Sequence, residues 1–262
     1  MSSAAGFEVT RFDSERIRQG VTLGETTQWL ASTKSTNDDA LAAAKAGAPH
    51  GALFGAEAQT AGRGRRGNLW VSAPAEGLWF SILLRPRFGP ELLPFVPLCA
   101  GLAVRAACAR LTSEPLAVKW PNDLLAGRRK LAGILVESHL QGAAVASVVI
   151  GMGVNVAQRN FPEPVATLAT SLALLGAKPL RRERLLASIL AELQEQLAKL
   201  AAGSAEAITL ELAAHDALIG RRIRVDDEQG VARGIDAAGC LRLELEAGKI
   251  RPCSSGHVEL LD

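Results

Sequence analysis

The segment from Ala117 to Val156 constrains the fold most, because short apolar runs alternate there with turn signals. The runs are AVKW, LAGILVE and VASVVIG, and the glycine-containing turns AGRR and QG separate them. Apolar runs of this length that are bounded by turn residues favour strands joined by hairpins. The segment is therefore predicted to form an antiparallel meander.

The residues ahead of the meander predict further strands around a helix. Thr36-Asn-Asp-Asp, followed by an alanine-rich stretch and Gly47, is typical of a helix that is acidic at its start and ended by glycine. Strands are predicted at residues 27–31, 52–57 and 78–84, where apolar residues lie between polar segments. Strands together with helices indicate an α/β (α+β) fold.

Three more helices are predicted from length and periodicity. The apolar stretch at residues 92–111 suits a largely buried helix, because its small residues allow close packing and it is too long for a strand. Between Arg181 and Leu200, apolar residues recur at helical spacing and form one face. A shorter helix is predicted at residues 205–214. The apolar positions of the longer one are Leu186, Ile189, Leu190, Leu193, Leu197 and Leu200.

A second domain is predicted at the C-terminal end. After Asp216 the sequence changes to the short alternating segments RIRV, GVARGI, CLRLEL and HVEL. Closely spaced short strands of this kind are typical of a small β-barrel. A chain of 262 residues accommodates a main domain and a smaller one. We therefore predict a main domain at residues 1–215 and a barrel at residues 216–262.

Composition argues against several classes of protein. Lys and Arg number 29 against 27 Asp and Glu, so no global field attracts nucleic acid or an anionic membrane. The 4 cysteines have no CxxC spacing, and the 4 histidines have no HxH or HExxH spacing, so no metal-site signature is present. The chain shows no apolar run of about 18 residues, and its start is charged where a signal peptide is apolar. A cytoplasmic location is expected.

The loop from Gly62 to Gly67, with the sequence GRGRRG, predicts an anion-binding site. Its glycines let backbone NH groups approach a ligand closely, and its arginines can recognise carboxylate or phosphate in a two-pronged manner. The glycines also match the dinucleotide fingerprint GxGxxG, but no amphipathic helix follows and no acidic residue lies about 20 positions further on. The alternative to an anion site is a solvated surface turn.

Two lysines are candidates for the same site. Lys119, in the motif KWPND, ends one strand, and Lys130 begins the next one across a basic turn, so both can lie at one mouth of the sheet. Their ammonium groups would stabilise charge on a phosphate or carboxylate. The alternative is that each lysine lies on the surface with its aliphatic stem buried. Asp123 either binds a divalent ion or caps the turn.

Residue chemistry alone leaves three further segments ambiguous. Asn155, in GMGVN after an apolar strand, either reads a purine edge or stabilises a tight turn. Trp70 either stacks on a base or lies in the core. A helix cap explains Ser35, Thr36 and Asn37 as well as a binding role does. The residues by themselves indicate an anion-binding α/β enzyme with a possible nucleotide substrate.

Several segments together resemble the biotin protein ligase family. They are KSTN at 34–37, QTAGRGRRG at 59–67 with Trp70, KWPND at 119–123, KLAGILVE at 130–137 and GMGVN at 151–155. Their order and spacing match as well, and the resemblance covers roughly residues 30 to 260. The joint occurrence of the arginine loop, KWPND and KLAGILVE is highly specific, whereas each motif alone is weaker.

The resemblance implies a mixed, largely antiparallel sheet with flanking helices, related to class II aminoacyl-tRNA synthetases and lipoyl transferases, and an SH3-like C-terminal barrel. Some relatives carry an N-terminal winged helix that makes them repressors. About 30 residues precede the first matched strand, too few for such a domain, so the ligase-only form without specific DNA binding is expected. Because family members differ in oligomeric state, a monomer and a homodimer both stay open.

The resemblance also implies roles for individual residues. Biotin would contact Ser35, Thr36, Asn37, Gln59, Arg63, Gly64, Arg65 and Lys130. ATP would contact Arg65, Trp70, Lys130 and Asn155. The residues implied in catalysis are Lys130, Arg65, Lys119 and Asp123. Mg²⁺ is expected mainly on the ATP phosphates.

The implied reaction activates biotin with ATP as biotinyl-5′-AMP and passes it to a lysine of the biotin carboxyl carrier protein of acetyl-CoA carboxylase or a similar carboxylase. One departure is Asn68, where the family often has a basic residue, so a weaker ATP or pyrophosphate contact is expected. Two alternatives remain. One is a lipoate-type ligase or octanoyl transferase on the same scaffold, and the other is a nucleic-acid-binding regulator that uses the arginine loop on phosphates.

Overall fold

A computed structural model of the chain describes residue 13, residues 22–178 and residues 181–262. The charged N-terminal start considered above lies outside the described residues, apart from Asp13.

The main sheet has seven strands in the order β1-β2-β3-β7-β6-β5-β4. The pair β1–β2 is parallel and the other neighbouring pairs are antiparallel. The predicted mixed, largely antiparallel sheet is therefore confirmed, and so is the meander, which runs through β4 to β7. The strands are β1 Thr27–Leu30, β2 Leu53–Ala56, β3 Gly77–Leu84, β4 Leu116–Lys119, β5 Asp123–Ala126, β6 Arg129–Gln141 and β7 Ala144–Asn155.

One detail of the meander differs from the prediction. Lys119 and Lys130 were expected on consecutive strands, but β5 lies between them. Asp123 begins β5 and lies opposite Lys119 on one side and Gly133 on the other. The basic turn at Gly127 and Arg128 joins β5 to β6, so the two lysines reach the same edge across an intervening strand.

Helices cover both faces of the sheet. Helix α1 packs on one face, where Ala40 meets Phe54, Leu83 and Val149 in a small cluster. Helices α2 and α3 cover the other face and form the main core, to which α4 also contributes. Because α1 is short, part of the first face is left for a cavity. The helices are α1 Thr36–Lys45, α2 Val96–Ala109, α3 Arg182–Ala201 and α4 Ala205–Ala213.

Helix α2 and the turn before it correct one expectation. The stretch Pro90–Ala109 is long and apolar enough to cross a membrane by length and composition, with a mean hydropathy of 1.8, so the statement that no such run occurs was wrong. In this structure 61% of this apolar segment is buried inside the fold. The segment packs between the sheet and α3, as the prediction of a buried helix required.

The C-terminal residues form a five-stranded antiparallel sheet in the order β11-β10-β9-β8-β12, which agrees with an SH3-like domain. Four of its strands were predicted, and β11, which contains a proline, was not. The sheet touches the main domain where Trp120 Nε1 donates to the Gly239 carbonyl at 3.3 Å. The strands are β8 Arg222–Val225, β9 Glu228–Ile235, β10 Leu241–Glu244, β11 Ile250–Cys253 and β12 Val258–Leu260.

Candidate active site

A cavity of about 190 Å³ opens beside α1 on the face of the sheet that α1 leaves uncovered. Its walls come from the start of α1, the arginine loop, the strands β4 to β7 and residues 256–258 of the barrel. It brings together all of the predicted site residues except Asn155. Those that line it are Ser35, Thr36, Asn37, Gln59, Arg63, Gly64, Arg65, Trp70, Lys119, Asp123 and Lys130.

Glycines form the floor of the cavity. The motif GMGVN lies inside β7 rather than after it, so its interpretation as a tight turn was wrong. A Cβ atom at Gly151 would lie 2.0 Å from Asn37 Oδ1, and one at Gly153 would lie 2.5 Å from Trp70 Cε2. Gly133 on β6 would bring a Cβ within 2.8 Å of the same tryptophan ring. Only glycine at these positions lets the two side chains lie flat against the sheet.

Polar side chains at the start of α1 occupy one end of the cavity. Ser35 is the N-cap residue, but its side chain makes no capping hydrogen bond. Thr36 N donates to Gln59 Oε1 at 2.9 Å, and Thr36 Oγ1 lies 2.8 Å from Ser81 Oγ. Ser81 Oγ in turn donates to Asn37 Oδ1 at 2.6 Å. A helix cap therefore does not explain Thr36 and Asn37, because their side chains bind Ser81 and Glu137 instead.

Three residues that sequence reasoning missed hold this polar set in place. Glu137 accepts from Asn37 Nδ2 at 2.8 Å, and Ser72 Oγ accepts from Gln59 Nε2 at 2.8 Å. Ser81 is fully buried in β3. A signal was present for two of them, since Glu137 closes the motif KLAGILVE and Ser81 interrupts the apolar run LWFSILL. With their orientation fixed in this way, the amides can present defined donors and acceptors to a ligand.

The arginine loop forms a short hairpin. Arg63 bridges to Leu69, and Gly64 N donates to the Asn68 carbonyl at 2.7 Å. A short 3₁₀ turn at Arg65–Gly67 forms the tip, where Arg66 has a φ of 56°. The hairpin points its arginines at the cavity, so the loop is more than a solvated surface turn.

Five lysine and arginine side chains line the cavity, and carboxylates neutralise three of them. Arg65 and Lys119 make no direct ion pair within the described parts of the chain, although the charge of Asp123 acts on both from a greater distance. Burial, together with a neighbouring cation, lowers the pKa of both groups. A partly buried cation that has no directly paired carboxylate is stabilised by an incoming anion. Arg63 pairs with Asp38 at 2.8 Å and with Glu137 at 2.7 Å. Arg66 pairs with Asp226 at 2.6 Å, and Lys130 pairs with Asp123 at 2.6 Å.

Of the two residues predicted to contact adenine, Trp70 lines the cavity and Asn155 does not. The Trp70 ring rests on the glycine floor beside the cavity, with Lys130 Nζ 5.2 Å from its centroid. Asn155 lies behind the cavity wall, where its Nδ2 donates to the Thr170 carbonyl at 2.9 Å and its Oδ1 accepts from Gln158. The asparagine therefore ties the segment after β7 to the sheet in this structure.

The chain is similar to known proteins in both of its domains. Residues 29–155 match the biotin/lipoate A/B protein ligase family, and residues 218–261 match the biotin protein ligase C-terminal domain. The biotin--[acetyl-CoA-carboxylase] ligase of Mycobacterium tuberculosis is 38% identical over 87% of this chain and 86% of that protein. The chain belongs to the biotin protein ligase family. The corresponding enzyme of Paracoccus denitrificans is 36% identical to this ligase over 84% of the chain and 95% of that protein.

A solved structure supports the same relationship. The biotin protein ligase from Aquifex aeolicus in complex with biotin and ATP superimposes on this ligase with a TM-score of 0.78 and 30% identity. The match covers 90% of this chain and 99% of that one. The bifunctional ligase/repressor BirA of Bacillus subtilis is 33% identical over 88% of this ligase and 72% of that protein.

Proposed function

We propose that this ligase activates biotin with ATP as biotinyl-5′-AMP and transfers the biotinyl group to a lysine of a biotin carboxyl carrier protein of acetyl-CoA carboxylase or a similar carboxylase. The observation that carries the proposal is one cavity with a fixed polar set at one end and unpaired cations at the other. A ureido ring needs paired donors and acceptors when it is buried, and a triphosphate needs cations. The named relatives are ligases of this kind.

The polar end is proposed as the biotin site. Thr36 and Asn37, with Gln59, would bind the ureido ring, and Ser35 lies beside them on the cavity wall. Because Ser81 donates to Asn37 Oδ1, Ser81 Oγ can accept from the Thr36 hydroxyl, which leaves lone pairs on Thr36 Oγ1 for a ligand NH group. An acyl chain such as octanoate has no group that would satisfy this set.

The cationic end is proposed as the phosphate site. Arg65 and Lys119 would bind phosphate oxygens, because neither makes a direct ion pair with a carboxylate of the described chain. Lys130 would exchange its ion pair with Asp123 for the biotin carboxylate and the α-phosphate. Trp70 would cover the adenine, and Arg63 and Gly64 would close over the biotin end. For Asn155, a direct adenine contact would require its present hydrogen bonds to be exchanged.

The chemistry then needs positioning and charge stabilisation. A carboxylate oxygen of biotin attacks the α-phosphorus of ATP, the bond to the bridging oxygen breaks, and pyrophosphate leaves. The acceptor amine then attacks the carbonyl carbon of the mixed anhydride, AMP leaves, and the ammonium proton is lost to water. Lys130, Lys119 and Arg65 offset the charge that develops on the phosphate oxygens in the first step. The closed arginine loop excludes water from the anhydride in the second.

Mg²⁺ would supply charge neutralisation on the phosphates. No group of three or more His, Cys, Asp or Glu side chains that could hold a metal occurs among the residues that the structure describes. Among the described residues, Asp123 is the carboxylate that lines the cavity. This donor set fits an ion held through ATP, with Asp123 as its possible protein ligand.

The remaining proposals concern organisation and location. We place the domain boundary near residue 216, which lies between the two matched family regions. A cytoplasmic enzyme is proposed because the substrate ATP and carboxylases of this type are found there, and the four cysteines are free thiols in this structure.

The test is biotin-dependent exchange of labelled pyrophosphate into ATP, with lipoate and octanoate as parallel substrates. Exchange with biotin alone is expected, and Lys130→Ala should abolish it. Lys45→Ala is the matched control, because Lys45 is an exposed lysine on α1 away from the cavity. Exchange with lipoate instead would reassign the protein to the sister branch of the family. No exchange with any of the acids, despite folded protein and Mg²⁺, would contradict the adenylation step.

A further inference from the structure

The tip of the arginine loop touches the barrel. Arg66 donates through Nη1 and Nη2 to the two carboxylate oxygens of Asp226, at 2.6 and 3.2 Å. Beside it, Arg65 Nη1 donates to the Gly256 carbonyl at 3.5 Å. A guanidinium that binds a carboxylate with two parallel hydrogen bonds fixes orientation as well as charge. Both arginines at the tip are therefore connected to a domain that begins about 150 residues later in the chain.

Both partners of this ion pair have an uncommon backbone conformation. Arg66 has a φ of 56° and Asp226 a φ of 51°, in the left-handed region that non-glycine residues rarely adopt. Residues persist there when their surroundings hold them. The two side chains are thus presented to each other by two tight turns, one in the loop and one between β8 and β9.

The barrel holds Asp226 ready for the arginine. Asp226 N donates to the His257 carbonyl at 2.9 Å, and His257 N donates back to Asp226 Oδ1 at 2.9 Å. The hydrogen bonds from Arg66 and His257 lower the pKa of Asp226 to about 2, so the carboxylate is charged throughout the neutral range. Gly256, His257 and Val258 are also the barrel residues that line the cavity. The same short segment therefore forms a wall of the site and holds the loop.

We propose that Asp226 is a positioning residue that holds the arginine loop closed, so that the barrel helps to retain biotinyl-5′-AMP until the acceptor arrives. This inference rests on the proposed function. The mixed anhydride reacts with water when the site opens: a water oxygen attacks the carbonyl carbon, the bond to AMP breaks, and biotin and AMP form. An exposed ion pair changes such an equilibrium only about two- to fivefold. An effect of that size suits a loop that must open in every catalytic cycle.

The experiment compares two rates in the full-length enzyme. Pyrophosphate exchange measures adenylation, and AMP formation in the presence of biotin, ATP and no acceptor measures loss of the intermediate. Asp226→Asn removes the charge, and asparagine tolerates the left-handed conformation and can still accept from His257 N. Arg66→Gln breaks the same pair from the loop side. Asp262→Asn is the matched control, because Asp262 pairs with Arg221 at 2.9 Å in the same domain and does not line the cavity.

Asp226→Asn and Arg66→Gln should each raise the ratio of AMP formation to exchange by about two- to fivefold, with Asp262→Asn unchanged. The double variant should equal the singles, because both substitutions remove one interaction. General destabilisation would lower both rates together and leave the ratio constant. A wild-type ratio in both single variants, or an equal rise in Asp262→Asn, would overturn the inference. Absence of biotin-dependent exchange in the wild-type enzyme would instead refute the proposed function itself.

Discussion

Alanine substitutions at two glycines of β7 should change the KM values for biotin and for ATP separately. Gly151 and Gly153 point to the same face of β7, because side chains alternate along a strand. A methyl group at Gly151 would lie 2.0 Å from Asn37 Oδ1, well inside the ordinary contact distance, which is about 3.5 Å. Asn37 must then move away from the strand. This movement would break its hydrogen bond with Ser81 Oγ, which is 2.6 Å long. A methyl group at Gly153 displaces the Trp70 ring instead.

The size of each effect follows from the contact that is lost. Leaving a buried polar group without its partner costs about 1–3 kcal/mol, which corresponds to about 5- to 140-fold in an apparent affinity. Gly151→Ala should therefore raise the KM for biotin within that range and change the KM for ATP little. Gly153→Ala should raise the KM for ATP and leave biotin nearly unchanged. Folding should survive, because each clash is with a side chain rather than with backbone.

Steady-state pyrophosphate exchange, with each substrate varied in turn, measures both constants. Each variant is the control for the other, because they lie two residues apart on one strand and share any general cost of replacing glycine. Equal changes in both constants in both variants would refute the assignment of Asn37 to biotin and of Trp70 to ATP.

Two further predictions concern titratable groups. Burial lowers the pKa of Lys119, so its charge is lost at a lower pH than that of an ordinary lysine, and the KM for ATP should rise with pH through that value. Folding disfavours its charged form, so its cost to stability disappears as pH rises toward the ordinary lysine pKa. Lys119→Arg should move this alkaline limb upward in a pH profile, and an unchanged limb would exclude Lys119 as its origin. Burial also raises the pKa of Cys99 and Cys108 to about 12. Neither thiol should react with iodoacetamide at pH 8 until the protein is unfolded, as peptide mass mapping would show; labelling of the native protein at either cysteine would contradict this burial.

Much of the architecture could be predicted because it depends on local pattern. The meander, α2 and α3 follow from apolar runs and from helical periodicity, and both signals survive in a single sequence. Strand β5 was missed because its residues, DLLA, lie directly between two turns and are too few to show alternation. Strand β11, IRPC, was missed because charge and proline hide an edge strand that pairs only with β10.

The site could be predicted only in part, because its residues meet through tertiary packing. The arginine loop and the two lysines were found from their chemistry, and the cavity unites them. Ser81 and Asp226 were not, since one is a lone hydroxyl in an apolar strand and the other lies 160 positions from its arginine partner. Nothing in local sequence shows that GMGVN continues a strand, because glycine-rich segments are as common in turns as in close-packed sheet.

The pairing of charges in the cavity affects which polyanions the enzyme meets. Five unpaired cations around one opening would attract nucleic acid and free polyphosphate as readily as ATP, since long-range attraction depends on net charge rather than on shape. Asp38, Asp123, Asp226 and Glu137 lie beside them and offset most of this charge, so that in the proposed site Arg65 and Lys119 would act mainly at short range. If the proposed function holds, the site would capture nucleotides more slowly but would discriminate better among polyanions, because a nucleotide would be held only where it fits.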